Sequence, residues 1–525
     1  MSRRPRQRAA RRPVQLFSLV LSTLFALLAP LVLPGALSPA SARADPSHRY
    51  AAIDTYVRER MNATGTPGLA YAAVGPNGPL HQRSWGTDGR GKEVTARTPF
   101  LWGSVAKPVA ATAVMTLVQD GRLGLDDRIV DHVPAFRFGG ARNTARVTVR
   151  HLLVQTSGIP EAATAKVTDC FDADCPGPAA RVKALDDVRP LGPPGAKYAY
   201  SSANYLVLTA VLEAVTHRPF AASLRTAVLG PAGMDGAIAD RASARERNLA
   251  PGHQRLWGMT AAIADGVDDS GAAYGYMGGD LHDLAAFAAL QLRAGGPKGE
   301  RDGVLTPASV RSMRTEDRTH SGEGTGSGLG WRVGGLDAPL DKAVWHTGGT
   351  PGYSAMLFLL PERNLALVLQ QNLYGLLDDE DVMRIGFDAA RILAGGAPPS
   401  PGTSWLSPYD LAVWGLTGLA LLLVLAAGRA VVLLRRPGVP AGLLRRAVGA
   451  APWCAVGAVP PALLILAAAR PGLGPLWLWL PDVTLALCLA AAAGAATFAL
   501  RLFLALRKRD AAPFLEPDGG RGTPM

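Results

Sequence analysis

The chain has 525 residues, of which 48% are hydrophobic, and a formal net charge of +12. That length exceeds one ordinary domain, and the apolar content supplies a large core. The positive excess does not describe a nucleic-acid surface, because six arginines fall in the first 12 positions and eight more basic residues flank apolar runs near the end, which leaves 40 basic against 42 acidic residues elsewhere.

The N-terminal arginines precede an apolar stretch at residues 16–33, and "ASARA" then ends at Ala44. These are the three parts of an export signal. Residues 1–44 are expected to be a signal peptide or an uncleaved anchor, with the chain after them extracytoplasmic. Next, "GLAYAAVGPNGPLHQRSWG" reads as two strands joined by a tight turn at Asn77-Gly78. "FLWGSVAKPVAATAVMTLVQDGRLGLDD" (100–127) reads as one amphipathic helix except at its start, where Ser104 stands three residues before Lys107. Lysine is scarce here, only eight of 54 basic residues, which makes its position at a helix mouth notable. Residues three apart share a helix face. A serine hydroxyl becomes a nucleophile when a neighbouring base takes its proton. A lysine serves as that base only when burial or nearby charge depresses its pKa. Taken alone, Ser-x-x-Lys is equally a helix cap followed by a surface lysine.

Further along, Cys170 and Cys175 bracket "FDAD", a spacing that allows a short-loop disulfide in an oxidising compartment. "GVDDSGAAYGY" (266–276) carries acidic residues but not the ligand spacing of an EF-hand. Tyr200 follows Ser104 by 96 residues, just before a helical pattern, and His346 follows by another 146, where a strand ends in Thr347, Gly348 and Gly349. "KAVWHTGG", "GYSAMLFLLPE" and "LALVLQQN" read as three successive strands, and "DDEDVMRIGFDAARILAG" then has helical spacing. Strands at both ends of residues 45–395 with helices between them predict an α+β domain. Its expected form is one antiparallel sheet, closed by both chain ends and flanked by helices, with a helical insertion. No glycine-rich phosphate loop is present, and neither a cofactor nor a metal is expected.

After a linker at 396–410 come three apolar runs, 411–434, 447–469 and 476–500, each long enough to cross a bilayer. Arg435, Arg436, Arg445 and Arg446 place the first loop inside, and Arg507, Lys508 and Arg509 do the same for the end. An all-α segment of three transmembrane helices over 411–506, with a cytoplasmic tail at 507–525, is therefore expected. Pro460-Pro461 should kink the second span, and Arg429 can snorkel from the first.

The stretches "GSVAKPVAATAVMTLVQDGRLGLDD", "VTVRHLLVQTSGIP", "YAYSSANYLVL", "GYMGGDLHDLAAF", "GLGW" and "HTGGTPGYSA" stand in one order over residues 50–395. In that order the chain resembles the serine β-lactamase and penicillin-binding-protein-like hydrolases, on the class C side. The resemblance implies the serine β-lactamase/transpeptidase-like fold, with Ser104 as acyl-forming nucleophile, Lys107 as its proton partner and Tyr200 as second acid/base. It implies an oxyanion hole of the Ser104 and Gly349 backbone N–H groups, and substrate contacts from Ser202, His346, Thr347, Gly348 and Gly349. Three departures stand out: Ser202 for the usual Asn, Gln155 for a frequent His, and His346 for Lys. With His151, the Gln155 segment reads as structural. A neutral imidazole anchors a substrate carboxylate less well than an ammonium does, which points away from an efficient β-lactamase and toward an esterase, amidase or D-amino-acid peptidase. The reading is a membrane-tethered, extracytoplasmic serine hydrolase of esters, amides or peptides, cell-wall peptides among them, with the lipid bilayer as its other partner and no nucleic acid. The alternative is a membrane receptor that binds cell-wall fragments or β-lactams on the same fold without turnover.

Overall fold

A computed structural model describes residues 46–295, 304–315, 319–322, 324–398, 407–436, 442–469 and 472–507. The export signal, most of the linker and the tail beyond residue 507 lie outside the described residues. The strands are β1 (Gly68–Gly75), β2 (Gly78–Gly86), β3 (Phe100–Leu101), β4 (Gly252–Leu256), β5 (Met259–Ala264), β6 (Gly278–Gly279), β7 (Thr319–Gly322), β8 (Thr325–Ser327), β9 (Arg332–Gly334), β10 (Val344–Thr350), β11 (Tyr353–Leu360) and β12 (Leu365–Gln371). Eight form an antiparallel sheet in the order β2-β1-β12-β11-β10-β9-β8-β7. The first and last parts of the domain therefore meet, with β1 paired to β12 from Leu69↔Gln371 to Val74↔Ala366.

Both faces of this sheet are covered, so its central strands are apolar throughout rather than alternating. The alternation survives in what each residue touches. Ala70, Ala72 and Val74 join a core shared with Ala355, Leu357 and Leu359 and with the Lys107 helix (Ala106–Gln119). Their neighbours Leu69, Tyr71 and Ala73 join a second core with Met356, Phe358 and the helix Asp379–Leu393. That second face is also covered by a helix at Pro46–Thr64, whose mean pattern is weakly amphipathic and which the sequence reading omits.

The 100–127 segment departs from the expected single amphipathic helix. It comprises β3, a 3-10 turn at Gly103–Val105 and a helix that ends at Gln119. Every residue from Ala106 to Met115 is buried. A helix packed on all sides needs no polar face.

Three long apolar helices follow, Pro408–Arg435, Leu443–Ala469 and Pro481–Leu506. Each is long and apolar enough to cross a membrane. The second carries Pro452, Pro460 and Pro461 inside one continuous helix. Gly457 and Gly494 bring the second and third together, since a Cβ on either would overlap the other's carbonyl oxygen. The third apolar run divides at Leu480: a short helix, Leu473–Trp479, precedes the membrane-length one, and Pro481 opens the latter at its first position. Arg501, counted above as flanking charge, lies within that helix, over the Trp453 ring.

The α+β domain sits on these helices through the β4–β5 hairpin. Asp482 is 2% exposed and accepts from the Trp257 backbone N–H (2.9 Å) and the Tyr409 hydroxyl (2.5 Å). The Trp257 indole donates to Thr417 Oγ1 (2.9 Å), and the Gly258 N–H donates to Tyr409 (2.9 Å).

Candidate active site

Ser104 lies in the 3-10 turn between β3 and the Lys107 helix. Trp102 anchors the turn: its backbone N–H donates to Met277 O (2.8 Å) and its indole to Gln370 Oε1 on β12 (2.9 Å). Gly103 has φ +53°, where only glycine is unstrained, and a Cβ there would overlap the Gly349 amide. A Cβ on Gly348 would overlap the Ser104 amide, and one on Gly349 would enter the Tyr374 ring on the opposite side of the strand. The two glycines after Thr347 thus serve two faces of β10. They bring the Ser104 and Gly349 amides side by side.

Ser104 Oγ lies 2.7 Å from Lys107 Nζ and accepts from the Tyr200 hydroxyl at 2.7 Å. Lys107 also donates to Tyr274 O (2.7 Å) and to Ser202 Oγ (3.2 Å). It is 1% exposed and has no carboxylate among its hydrogen-bond partners. Burial first, and the Arg332 charge second, hold its pKa well below the usual lysine value. A neutral amine has two N–H groups and one lone pair. When Lys107 is neutral, Tyr274 O and Ser202 Oγ can take its two N–H groups, which leaves the lone pair for Ser104. Burial raises the Tyr200 pKa, against the lowering effect of its bond to Ser104, so the phenol keeps its proton.

Tyr200 is held from both sides by Gln155. The Gln155 carbonyl accepts from Ala199 N (2.8 Å), and its side-chain Oε1 accepts from Ser201 N (3.0 Å) and Asn204 Nδ2 (2.5 Å). Gln155 itself has φ +61°. His151 completes a capping box with Thr148 at the start of the preceding helix. Both residues are structural. Trp331 is core, stacked on Phe287, and His253 is engaged by Asn372 O (3.1 Å).

β9 pairs with β10 only at Val344 and Trp345, so the outer edge of β10 from His346 onward has no strand partner among the described residues. His346 is buried, and its Nδ1 lies 2.6 Å from Thr347 O. Burial is the main cause that pushes its pKa well below the imidazole value, and the Arg332 charge acts in the same direction. It is a neutral group. The fixed positive charge of the site belongs to Arg332, which the sequence reading missed. Arg332 opens β9 opposite Trp345, with its guanidinium 5.3 Å from that ring centroid and 5.8 Å from the Tyr200 ring centroid. Its only local signal is a position just after "GLGW", and the fold alone brings it to the serine.

Elsewhere, Cys170 and Cys175 form a disulfide. Asp268, in the acidic stretch 266–276, is engaged by Arg181 (2.7 and 2.8 Å). No group of metal-ligating side chains occurs among the described residues.

Known proteins share this chain's family and fold. The family profile described as Beta-lactamase matches residues 53–388. Penicillin-binding protein 4 of Amycolatopsis lactamdurans is 31% identical over 332 residues, covering 60% of this chain and 84% of its own length. Protein flp of Staphylococcus aureus is 24% identical over 328 residues, and the chain spans 62% of its length. Among solved structures, the octameric penicillin-binding protein homologue from Pyrococcus abyssi superposes with TM-score 0.58 at 20% identity, over 70% of this chain and 81% of that one. SurE, solved with D-Leu, gives TM-score 0.52 at 26% identity, over 70% and 81%.

Proposed function

The chain belongs to the beta-lactamase family, and from that premise we propose that it is a membrane-tethered serine hydrolase, working outside the cytoplasm through an acyl-enzyme on Ser104. The observation that carries this reading is the approach of Lys107 Nζ and Tyr200 Oη to Ser104 Oγ, 2.7 Å each. In the proposed sequence, Ser104 Oγ attacks the substrate carbonyl carbon while its proton passes to the Lys107 lone pair. The carbonyl oxygen becomes an oxyanion facing the Ser104 and Gly349 N–H groups. Losing one donor of such a pair typically costs about 2.7–4 kcal/mol. As the tetrahedral species collapses, the bond to the leaving oxygen or nitrogen breaks and Tyr200 supplies its proton. The proton taken by Lys107 then returns to the Tyr200 phenolate, which restores both groups. A water then attacks the acyl carbon with the same groups acting in reverse, which releases the acid and free Ser104.

The substrate class follows from the charge. His346 is buried and neutral, so the carboxylate-anchoring role considered for it passes to Arg332, whose guanidinium can hold a carboxylate in a two-pronged bond. An ester or amide with a free carboxylate fits this site, as a peptide ending in a D-amino acid would. The similarity to SurE, solved with D-Leu, supports that choice. Ser202 is engaged by Lys107, so its role in this reading is to orient the amine rather than to grip a substrate amide.

The test is covalent labelling. The wild-type chain should react with a fluorophosphonate, and Ser104→Ala should lose the label while its melting temperature stays within a few degrees. A Ser104→Ala chain that still labels would remove Ser104 from the chemistry.

A further inference from the structure

The short helix Leu473–Trp479 lies between the second and third apolar helices, yet its last two residues reach the catalytic walls. Leu478 O accepts from Gln254 Nε2 (2.8 Å), and Leu478 lines a small gap together with Leu101, Pro351 and Tyr353. The Trp479 indole N–H donates to Asp169 Oδ2 (3.0 Å). Asp169 Oδ1 accepts from the Tyr276 hydroxyl (2.8 Å), and Tyr276 stands two residues from Tyr274, whose carbonyl holds Lys107. On its other side Trp479 meets the Tyr374 ring edge-on, centroids 6.2 Å apart. Tyr374 is the ring that lies directly under Gly349. One indole therefore touches both sides of the site: the wall leading to Lys107 and the floor under the oxyanion strand.

The free edge of β10 runs from His346 toward Pro351. A substrate carbonyl placed at the Ser104 and Gly349 amides directs one of its two arms along that edge. That edge ends at Pro351, which lines a small gap together with Leu478, the residue before Trp479. Trp479 is only partly buried, packed against the second core. Asp169 is itself fixed, with the neighbouring Cys170 N–H bonded to Asp268 (3.0 Å) and Cys170 in the disulfide.

We propose that the segment between the second and third apolar helices is part of the substrate cleft, with Trp479 as a specificity-determining wall for an apolar or aromatic acyl group beyond Gly349. The proposal rests on the serine hydrolase reading. The membrane segment then chooses substrates as well as holding the enzyme in place.

The experiment uses the full chain in nanodiscs and a pair of matched esters, acetyl and phenylacetyl, differing only in the acyl group. Trp479→Ala should lower the phenylacetyl-to-acetyl ratio of kcat/KM about tenfold, in the range that an apolar pocket contact decides. Trp479→Phe, which keeps an aromatic face, should hold the ratio within about twofold. Trp479→Leu keeps apolar volume at the junction and should move the ratio in the same direction as alanine, which covers the case where alanine fails to fold. An equal fall for both esters, or an unchanged ratio in the alanine and leucine variants, overturns the proposal while wild-type labelling at Ser104 leaves the hydrolase reading standing. A wild-type chain that neither labels nor turns over either ester overturns both.

Discussion

Two buried cations in one domain are treated in opposite ways. Arg181 is 7% exposed and forms a two-pronged bond with Asp268. Burial alone would lower its pKa, but the carboxylate outweighs that and holds it above the usual value. Lys107 is more deeply buried, meets only neutral oxygens, and is held well below its usual value. The first arrangement keeps a charge and fixes the loop that carries the disulfide. The second removes a charge and leaves a lone pair beside a hydroxyl. Where the chain needs fixed structure it pairs the ion, and where it needs a base it leaves the amine unpaired.

The sharpest way to break that contrast is to remove the amine. Lys107→Met should lower kcat/KM by roughly a thousandfold or more, within the range of general acid–base catalysis. Its melting temperature should move by only a few degrees, because no buried carboxylate loses its counter-ion. A melting shift as large as that of an Arg181 variant would show that Lys107 is a structural ion after all.

Arg181→Met should do the reverse. It leaves Asp268 buried without its partner, at a cost of about 3–5 kcal/mol, read as a melting temperature about 10 °C lower. Labelling of Ser104 well below that temperature should stay within about threefold of wild type. The pH dependence has a definite sign. Burial works to raise the Asp268 pKa, but Arg181 and its other donors hold it below the usual carboxylate value. The pair therefore stabilises above the unfolded carboxylate pKa of about 3.9, and that contribution fades as pH falls through the lower folded value. The gap between wild type and Arg181→Met should narrow in acid, and a gap that widened would contradict the assignment.

The gentlest probe is Arg332→Gln, which leaves Lys107 in place and removes the second cause of its lowered pKa. Activity needs the neutral amine, so the acid limb of kcat/KM should move to higher pH. Preference for a carboxylate-bearing substrate over its neutral ester should fall about tenfold, the worth of one charge-assisted contact. An unmoved acid limb would mean that Arg332 does not act on Lys107.

Much of this was written locally. Ser104 and Lys107 are three residues apart, and Tyr200 and His346 stand in recognisable short motifs. The three central strands and three apolar helices have the lengths their hydropathy indicates. What stayed hidden depends on distance along the chain. Arg332 carries no signal until β9 pairs with β10. The Lys107 helix looked amphipathic because its flanks are polar, whereas tertiary packing covers all sides of its first ten residues. Average hydropathy merged Leu473–Trp479 with the helix after it, although Pro481 marked a fresh start. The bond between Trp257 and Asp482 joins residues 225 positions apart, which no periodicity reports.

That last bond limits how the proposed hydrolase could search for substrate. Asp482 ties the hairpin to the first residues of the last apolar helix, with Tyr409 and Thr417 completing the knot. A domain on a loose string would sweep a hemisphere and present its cleft in every direction. Here the cleft has one fixed bearing and one height relative to the helices, so under the proposed membrane tethering, translation along the bilayer is the motion left for finding substrate. Encounter becomes a two-dimensional problem, governed by how many reactive groups lie per unit area at that height rather than by how many are dissolved per unit volume.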